Sequence, residues 1–477
     1  MSNIRPIAII NAARVINGDG VTSLERASVL LAEGRIEAVV QTERPSLSED
    51  YALIDAAGCT VLPGVINAHA HGCVCGPTMP SGSASFDRQQ IDYQKNRHLL
   101  SGTTTLLNVC GLALAEDVDD IAQHPHPLDV HISTAHTPAS LAAAQAADGS
   151  GLSPRHLAAR VDHLLEGGAK ALGEAGGGQT LGGGAQDYRF LPEAIEKASG
   201  LVVHPNLARK LKEAALGRWL DPNANPDGVT LSSLLKENGL EGHFTIESIT
   251  SLVRKTVMTP VALARQGLGE IAAEAARTGM PAIFHNAVPT AAQLIELAGR
   301  FPTARMVAGH SNHPSFTRVE AVETAAALRA LGVGIDVSTL DCISTRWRNG
   351  PDNLDCLVDA GLVDTISTDF GGGDWDTILE AIHRMICRKL LTPADAIAKA
   401  TGNVAMIFPE LAGDRGLIAS GKRADIVISQ SHNLARVRHV ICRGRIVVKN
   451  GSIVVASMPE TDPETDRTSP DLLPGPR

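Results

Sequence analysis

Between residues 60 and 369 the chain repeats one pattern eight times. A short apolar run ends in polar residues and is followed by an amphipathic stretch of helical period. The runs lie near 60–70, 103–110, 127–135, 169–174, 281–286, 305–310, 333–338 and 363–369. Eight strand–helix units predict a closed parallel (β/α)8 TIM barrel, in the α/β class. Such barrels do their chemistry at the C-terminal ends of the strands, so the residues closing each run are the candidates.

Those residues are of one chemical kind. The first run, Pro63-Gly64-Val65-Ile66-Asn67-Ala68-His69-Ala70-His71, ends in two histidines one residue apart. A strand has a side-chain period of two, so both imidazoles point to one face. The fourth run ends in Glu174 before Gly176-Gly177-Gly178, the fifth in His285, the sixth in His310 and the eighth in Asp369. Any one of these could be a buried histidine or a solvated carboxylate. Five coincidences at five strand ends are a poorer account.

Imidazole and carboxylate groups suit zinc first, with iron, manganese or cobalt as alternatives. Glu174 has two oxygens and can bridge two divalent ions. One ion takes His69, His71 and Asp369 with Glu174; the other takes Glu174, His285 and His310. Water held by such ions loses a proton near neutral pH. Asp369 can then accept a proton and pass it to a leaving nitrogen. The reaction class expected is hydrolysis of an amide-like carbon–nitrogen bond. Lys170 is a rival bridge and His313 a rival ligand, but Glu174 and His310 hold the strand-end positions. Cys73 and Cys75, just past the histidines, read as loop or core thiols. Substrate contacts are expected from Asn286, Asp336, Arg346, Tyr188 and Arg189, with His136 on the same face.

The flanks read differently. Residues 5–60 and 415–456 alternate short apolar runs with turns such as Gly18-Asp19-Gly20 and Glu33-Gly34-Arg35. Neither flank buries enough apolar surface alone, so the two are expected to form one small composite β-sandwich. The expected division is 1–60 and 411–456 for that sandwich, 61–410 for the barrel and 457–477 for a flexible Pro/Asp/Glu-rich tail. One connection is anomalous: 110 residues separate Glu174 from His285. A barrel unit averages roughly 30, so about 75–80 residues, near 180–260, are inserted on the active-site face. A lid or a subunit contact is the expectation for that segment.

Composition removes several classes. The formal net charge is -10 with no Lys/Arg cluster, which argues against nucleic acid as a partner. No apolar stretch reaches membrane-spanning length and residues 1–6 hold no signal core, so a cytoplasmic protein acting on a small molecule is expected. The eight cysteines lack zinc-finger spacing and read as free thiols.

The motifs together resemble the metal-dependent amidohydrolase superfamily. The resemblance rests on Pro63 to His71, Ser367-Thr368-Asp369, Thr401-Gly402-Asn403 with Ala405, and Gly416 to Ile426, which is similar to the family's Gly-x-Ile-x-x-Gly-x-x-Ala-Asp signature. It implies the same barrel and composite β-domain, and a homo-oligomer. Gly173 to Gly178, His285-Asn286, Gly309 to Asn312 and Asp369 resemble the enamidase branch, from which the long insertion departs. That branch implies hydrolysis of a cyclic amide or enamide. The alternatives are an aminohydrolase of a nucleobase-like heterocycle and, in a different class, a metal-free structural barrel, which would be expected to have lost ligands.

Overall fold

The computed structural model describes residues 5–118, 126–183, 186–340, 350–369 and 378–454. The tail from 457 onward and Arg346 lie outside the described residues. Five strands come first: β1 (Ile7–Ile16), β2 (Ser23–Ala32), β3 (Arg35–Val40), β4 (Ala52–Asp55) and β5 (Cys59–Pro63). Eight follow in the middle of the chain: β6 (Val65–Ala70), β7 (Thr103–Asn108), β8 (Asp129–Thr134), β9 (Ala171–Ala175), β10 (Ala282–His285), β11 (Met306–Gly309), β12 (Gly334–Ser338) and β13 (Thr365–Ser367). The last four are β14 (Ile426–Gln430), β15 (Asn433–Cys442), β16 (Arg445–Lys449) and β17 (Ser452–Ile453).

Strands β6 to β13 pair in sequence order, each parallel to the next. The ends of that sheet meet where Ala70 bridges Asp369 and the Asp369 N–H donates to the His69 carbonyl at 2.9 Å. Beside that bond the Asn67 amide donates to the Thr368 hydroxyl at 2.7 Å. Closure of the barrel therefore joins the first and last strands at the residues singled out as ligands.

The two ends of the chain build one nine-stranded sheet, ordered β17-β16-β15-β14-β5-β1-β2-β3, with β4 paired to β1. β5 and β14 run antiparallel, from Cys59 opposite Gln430 to Pro63 opposite Ile426. The core beneath mixes both ends, including Ile9, Val29, Ile36 and Val61 with Ile426 and Ile441. Each end supplies apolar surface that only the other can cover.

The run expected as one strand near 60–70 is two. Cys59–Pro63 belongs to the terminal sheet and Val65–Ala70 to the barrel, with the crossing at Gly64. A β-carbon at Gly64 would stand 2.2 Å from the Thr104 hydroxyl oxygen, so the crossing is too tight for a side chain.

The segment between β9 and β10 is helical: Leu191–Ser199, Pro205–Leu216, Gly228–Glu237 and Ile246–Thr278. The first three, with the start of the fourth, enclose their own core around Leu191, Leu211, Leu231, Val253 and Val257. The fourth then runs on without a break at 260, and its Leu268, Ile271, Ala272 and Ala275 join the barrel core. Thr245 caps its start by accepting the Ser248 N–H at 3.2 Å, and Gly279 ends it in the left-handed conformation at φ +72°. Among the described residues no helix is long and apolar enough to cross a membrane.

Candidate metal centre

Six side chains from five strand ends converge: His69 and His71 at β6, Glu174 at β9, His285 at β10, His310 just past β11 and Asp369 just past β13. His69, His71 and Asp369 offer ligand atoms within 4.8 Å of one another, and so do His69, Glu174 and His310. Glu174 faces both halves. Its Oε1 lies 3.1 Å from His285 Nδ1 and 3.1 Å from His310 Nε2. Its Oε2 lies 3.7 Å from His69 Nε2 and 3.6 Å from His71 Nε2. Asp369 Oδ1 completes the second half at 3.5 Å from His69 Nε2 and 3.4 Å from His71 Nε2.

All of these groups except Asp369 are almost wholly buried. Among the described residues the ring nitrogens of His69 and His71 have no hydrogen-bond partner. A buried polar atom left unsatisfied costs about 1–3 kcal/mol. Cation coordination offsets that cost, so the donor set fits divalent ions of the zinc, iron, manganese or cobalt type.

The electrostatics agree with a set of ionised carboxylates and buried imidazoles. Burial pushes the Glu174 carboxyl up, but His69 beside it and the His285 and His310 contacts hold it well below the ordinary value. Burial likewise raises Asp369, and the His71 contact with the nearby His310 and His69 outweighs it, so its carboxyl is lowered. Burial lowers His285, helped by the neighbouring His310. His69 goes the other way, because the Glu174 and Asp369 carboxylates outweigh its burial.

Local backbone makes this convergence possible. His310 and Asp369 both have positive φ, 37° and 62°, in the region that non-glycine residues seldom occupy. Such strain costs on the order of 1–3 kcal/mol and persists where surrounding contacts enforce it. Here Asp336 receives the His310 N–H at 3.4 Å, and the Asp369 N–H is held by the barrel-closing bond at 2.9 Å.

The remaining candidates are placed as follows. Asp336 is buried beneath the site, accepting Thr365 Oγ1 and Ser367 Oγ at 2.7 Å each, with Oδ2 4.0 Å from His69 Nδ1. It supports the histidines from below. Asn286 is buried and donates to Ser311 Oγ at 3.0 Å. Tyr188 is exposed, and Arg189 pairs with Asp148 at 3.0 Å. His136 is buried, with Nδ1 3.0 Å from Thr134 Oγ1, and burial pushes it down to about 4. The His313 ring lies tilted with its centroid 5.5 Å from that of His310, its Nδ1 2.7 Å from Ser315 Oγ. Lys170, half-buried, and the two cysteines Cys73 and Cys75 join neither ligand group among the described residues.

Gly309 carries a role that the sequence pattern does not reveal. A β-carbon there would stand 2.9 Å from His69 Cε1 and 3.0 Å from its Nδ1, so the imidazole lies across bare backbone. The apolar period of β11 marks Gly309 only as a strand residue; the crossing of His69 from the far side of the barrel is what requires glycine.

A parallel eight-stranded barrel, a β-domain made from both chain ends and a clustered His/Glu/Asp group make up the fold and its candidate site. Residues 247–447 match the family model described as the amidohydrolase family. In sequence the chain is 42% identical over 86 residues to adenine deaminase 2 of Rhizobium johnstonii, which is 18% of this chain and 13% of that protein. It is 35% identical over 104 residues to imidazolonepropionase of Brevibacillus brevis, 21% of this chain and 24% of that protein. These curated relatives are thus matched over a quarter of their length or less.

Solved structures share the fold along nearly the whole chain. The β-aspartyl dipeptidase of Fervidobacterium islandicum AW-1 superposes with a TM-score of 0.54 at 16% identity, covering 96% of this chain and 99% of that one. A D-aminoacylase with a binuclear metal centre gives 0.55 at 16% identity, covering 93% and 97%.

Proposed function

We propose that this protein is a metal-dependent hydrolase that opens a carbon–nitrogen bond in a cyclic amide or enamide. The observation that carries the reading is the posture of Glu174: one oxygen turned to His285 and His310, the other to His69 and His71. A carboxylate divided between two sets of imidazoles is the arrangement a bridging ligand requires. His69, His71, Asp369 and Glu174 would hold one divalent ion, and Glu174, His285 and His310 the other, zinc being the first candidate. When bound, such ions supply Lewis acidity, acidifying water and polarising a carbonyl.

The chain's own residues do the rest. Asp369, whose carboxyl is held ionised, stands at the open side of the cluster and is the group that can accept a proton from attacking water. It can return that proton to the departing ring nitrogen, so one residue serves as base and then as acid. The buried His285, with its affinity for a proton lowered, is kept as a neutral donor imidazole. The near-complete burial of the other ligands excludes bulk water and strengthens every local charge interaction.

The cyclic-amide choice rests on the enamidase-like run Gly173 to Gly178 around Glu174. A second reading, an aminohydrolase of a nucleobase-like heterocycle, is favoured by the local identity to adenine deaminase 2. A panel of lactams, dihydropyridinones, hydantoins and aminopurines, tested on metal-loaded protein, separates them. Ring opening without ammonia release supports the first reading. Ammonia release with the ring intact replaces it by the second. Inactivity on the whole panel, with no transition metal retained by protein purified without chelator, removes both.

A further inference from the structure

The loop after β11 brings one more imidazole against the ligand cluster. His313 sits on a turn in which its own N–H donates to the His310 carbonyl at 2.8 Å. Its ring is tilted against those of His310 and His285, with centroids 5.5 and 5.7 Å away. Those are the two imidazoles that share Glu174 Oε1. His313 nevertheless joins neither group of ligand atoms among the described residues.

The loop fixes which of its nitrogens carries the proton. The Ser315 N–H donates to His313 Nδ1 at 3.1 Å. A backbone N–H can only donate, so Nδ1 is bare and the single proton of the ring is on Nε2. Ser315 Oγ lies 2.7 Å from the same Nδ1 and accepts the Val288 N–H at 3.1 Å, which leaves its own proton for the imidazole. The turn is braced from two further elements. Asn353 donates to the His313 carbonyl at 3.2 Å and to the Phe316 carbonyl at 3.0 Å, and Arg218 of the insertion donates to the Ser315 carbonyl at 2.6 Å. The other nitrogen is open. Among the described residues nothing bonds to His313 Nε2, and on this half-buried side chain it is not sealed away like the nitrogens of His69 and His71.

A ring amide offers such a donor one kind of acceptor, its carbonyl oxygen, because its N–H is itself a donor. Resting on the reading of this chain as a cyclic-amide hydrolase, we propose that His313 Nε2–H donates to the carbonyl oxygen of the ring amide. His313 stands on the His285 and His310 side of the cluster, while Asp369, beside His69 and His71, serves the nitrogen. The hydrogen bond strengthens as negative charge gathers on the oxygen during attack by water, so it lowers the barrier more than it tightens binding. Arg218 gives the insertion a part in this, by holding the turn that aims the ring.

The proton is tested apart from catalysis. Nitrogen NMR of the zinc-loaded full chain with labelled histidine, at neutral pH, is expected to show one imidazole, absent from His313→Gln, with Nε2 protonated and Nδ1 bare. A proton on Nδ1, or Nε2 bound to the metal, overturns the proposal whatever the enzyme turns over. The bond to substrate is tested by kinetics on a ring amide that the wild type hydrolyses. His313→Leu is expected to lower kcat about 10²-fold, with a smaller change in KM and metal content unchanged. His313→Gln, which keeps an N–H donor at similar reach, is expected to recover about tenfold of that loss. Equal kcat in wild type and His313→Leu, no recovery in His313→Gln, or metal lost from His313→Leu each overturns the proposal. Absence of turnover by the wild type for every ring amide overturns the reading of the reaction instead, whichever nitrogen carries the proton.

Discussion

Arg423 of the β-domain donates to Asp129, the first residue of the third barrel strand, at 2.7 Å across 294 residues of sequence. Arg415 donates to the same carboxylate, and Arg443 lies 2.9 Å from its other oxygen. Asp129, Arg415 and Arg423 are all largely buried. Three arginines from the returning chain are thus gathered by one barrel carboxylate, which ties the β-domain to the barrel at the end opposite the candidate ligands.

Burial pushes the Asp129 carboxyl up, but His131 and Arg423 hold it well below the usual carboxylate range. A carboxyl lowered in this way stabilises the fold fully above its unfolded value, about 3.9, and loses that contribution as pH falls below it. Asp129→Asn removes the carboxylate that Arg415 and Arg423 share, leaving them Asp414 and Asp425, and is expected to cost on the order of 2 kcal/mol at pH 7. Thermal unfolding followed by circular dichroism should show a gap from wild type that is widest at pH 7. The gap should narrow below about pH 4. An equal gap at both pH values would count against the pairing.

His69 contributes to both ligand groups, so His69→Ala should deplete metal more than the loss of one ligand in a single site would. Elemental analysis is expected to find less than half of the wild-type metal, with turnover abolished and far-ultraviolet circular dichroism unchanged. Near-normal metal content and activity would remove the centre of the proposed function.

Gly309→Ala puts a methyl against the His69 ring. Because metal sites depend on ligand orientation, metal affinity is expected to fall about 10- to 100-fold. Competition with a chromophoric chelator measures this directly. Unaltered affinity would mean that His69 adjusts without cost.

Asp369→Asn keeps an oxygen in place but removes the proton acceptor. On a ring amide turned over by the wild type, kcat is expected to fall about 10²- to 10⁴-fold with a smaller effect on KM. Because the Asp369 carboxyl is held below its ordinary value, the limb it sets lies below about pH 4 and should disappear in this variant. A retained limb would assign the proton transfer to another group.

Much of this arrangement was legible before any coordinates. All eight barrel strands are apolar runs bounded by turns, and the chemistry at their ends is visible as residue type. Other features depend on approach in space. Thr60-Val61-Leu62 and Val65-Ile66 read as one run because both sheets bury both faces; only pairing with Ile426–Gln430 assigns the first part to the terminal sheet. Asp336 stands near a strand end like the candidate ligands, yet Thr365 and Ser367 hydrogen-bond to its oxygens. Nothing in the sequence near Asp336 announces those two neighbours from the adjacent strand. The end of the insertion was illegible for a related reason. Helical period runs evenly through Ile246–Thr278, while the partner it packs against changes midway.

That shared helix has a mechanical consequence. At 33 residues it is a rod of about 50 Å, one half clamped in each of two cores. A load placed on the outer helices by a neighbouring molecule would be carried along this rod to the barrel wall beside β10, where His285 stands. Excising the outer helices would therefore cut into a rod that the barrel core also holds.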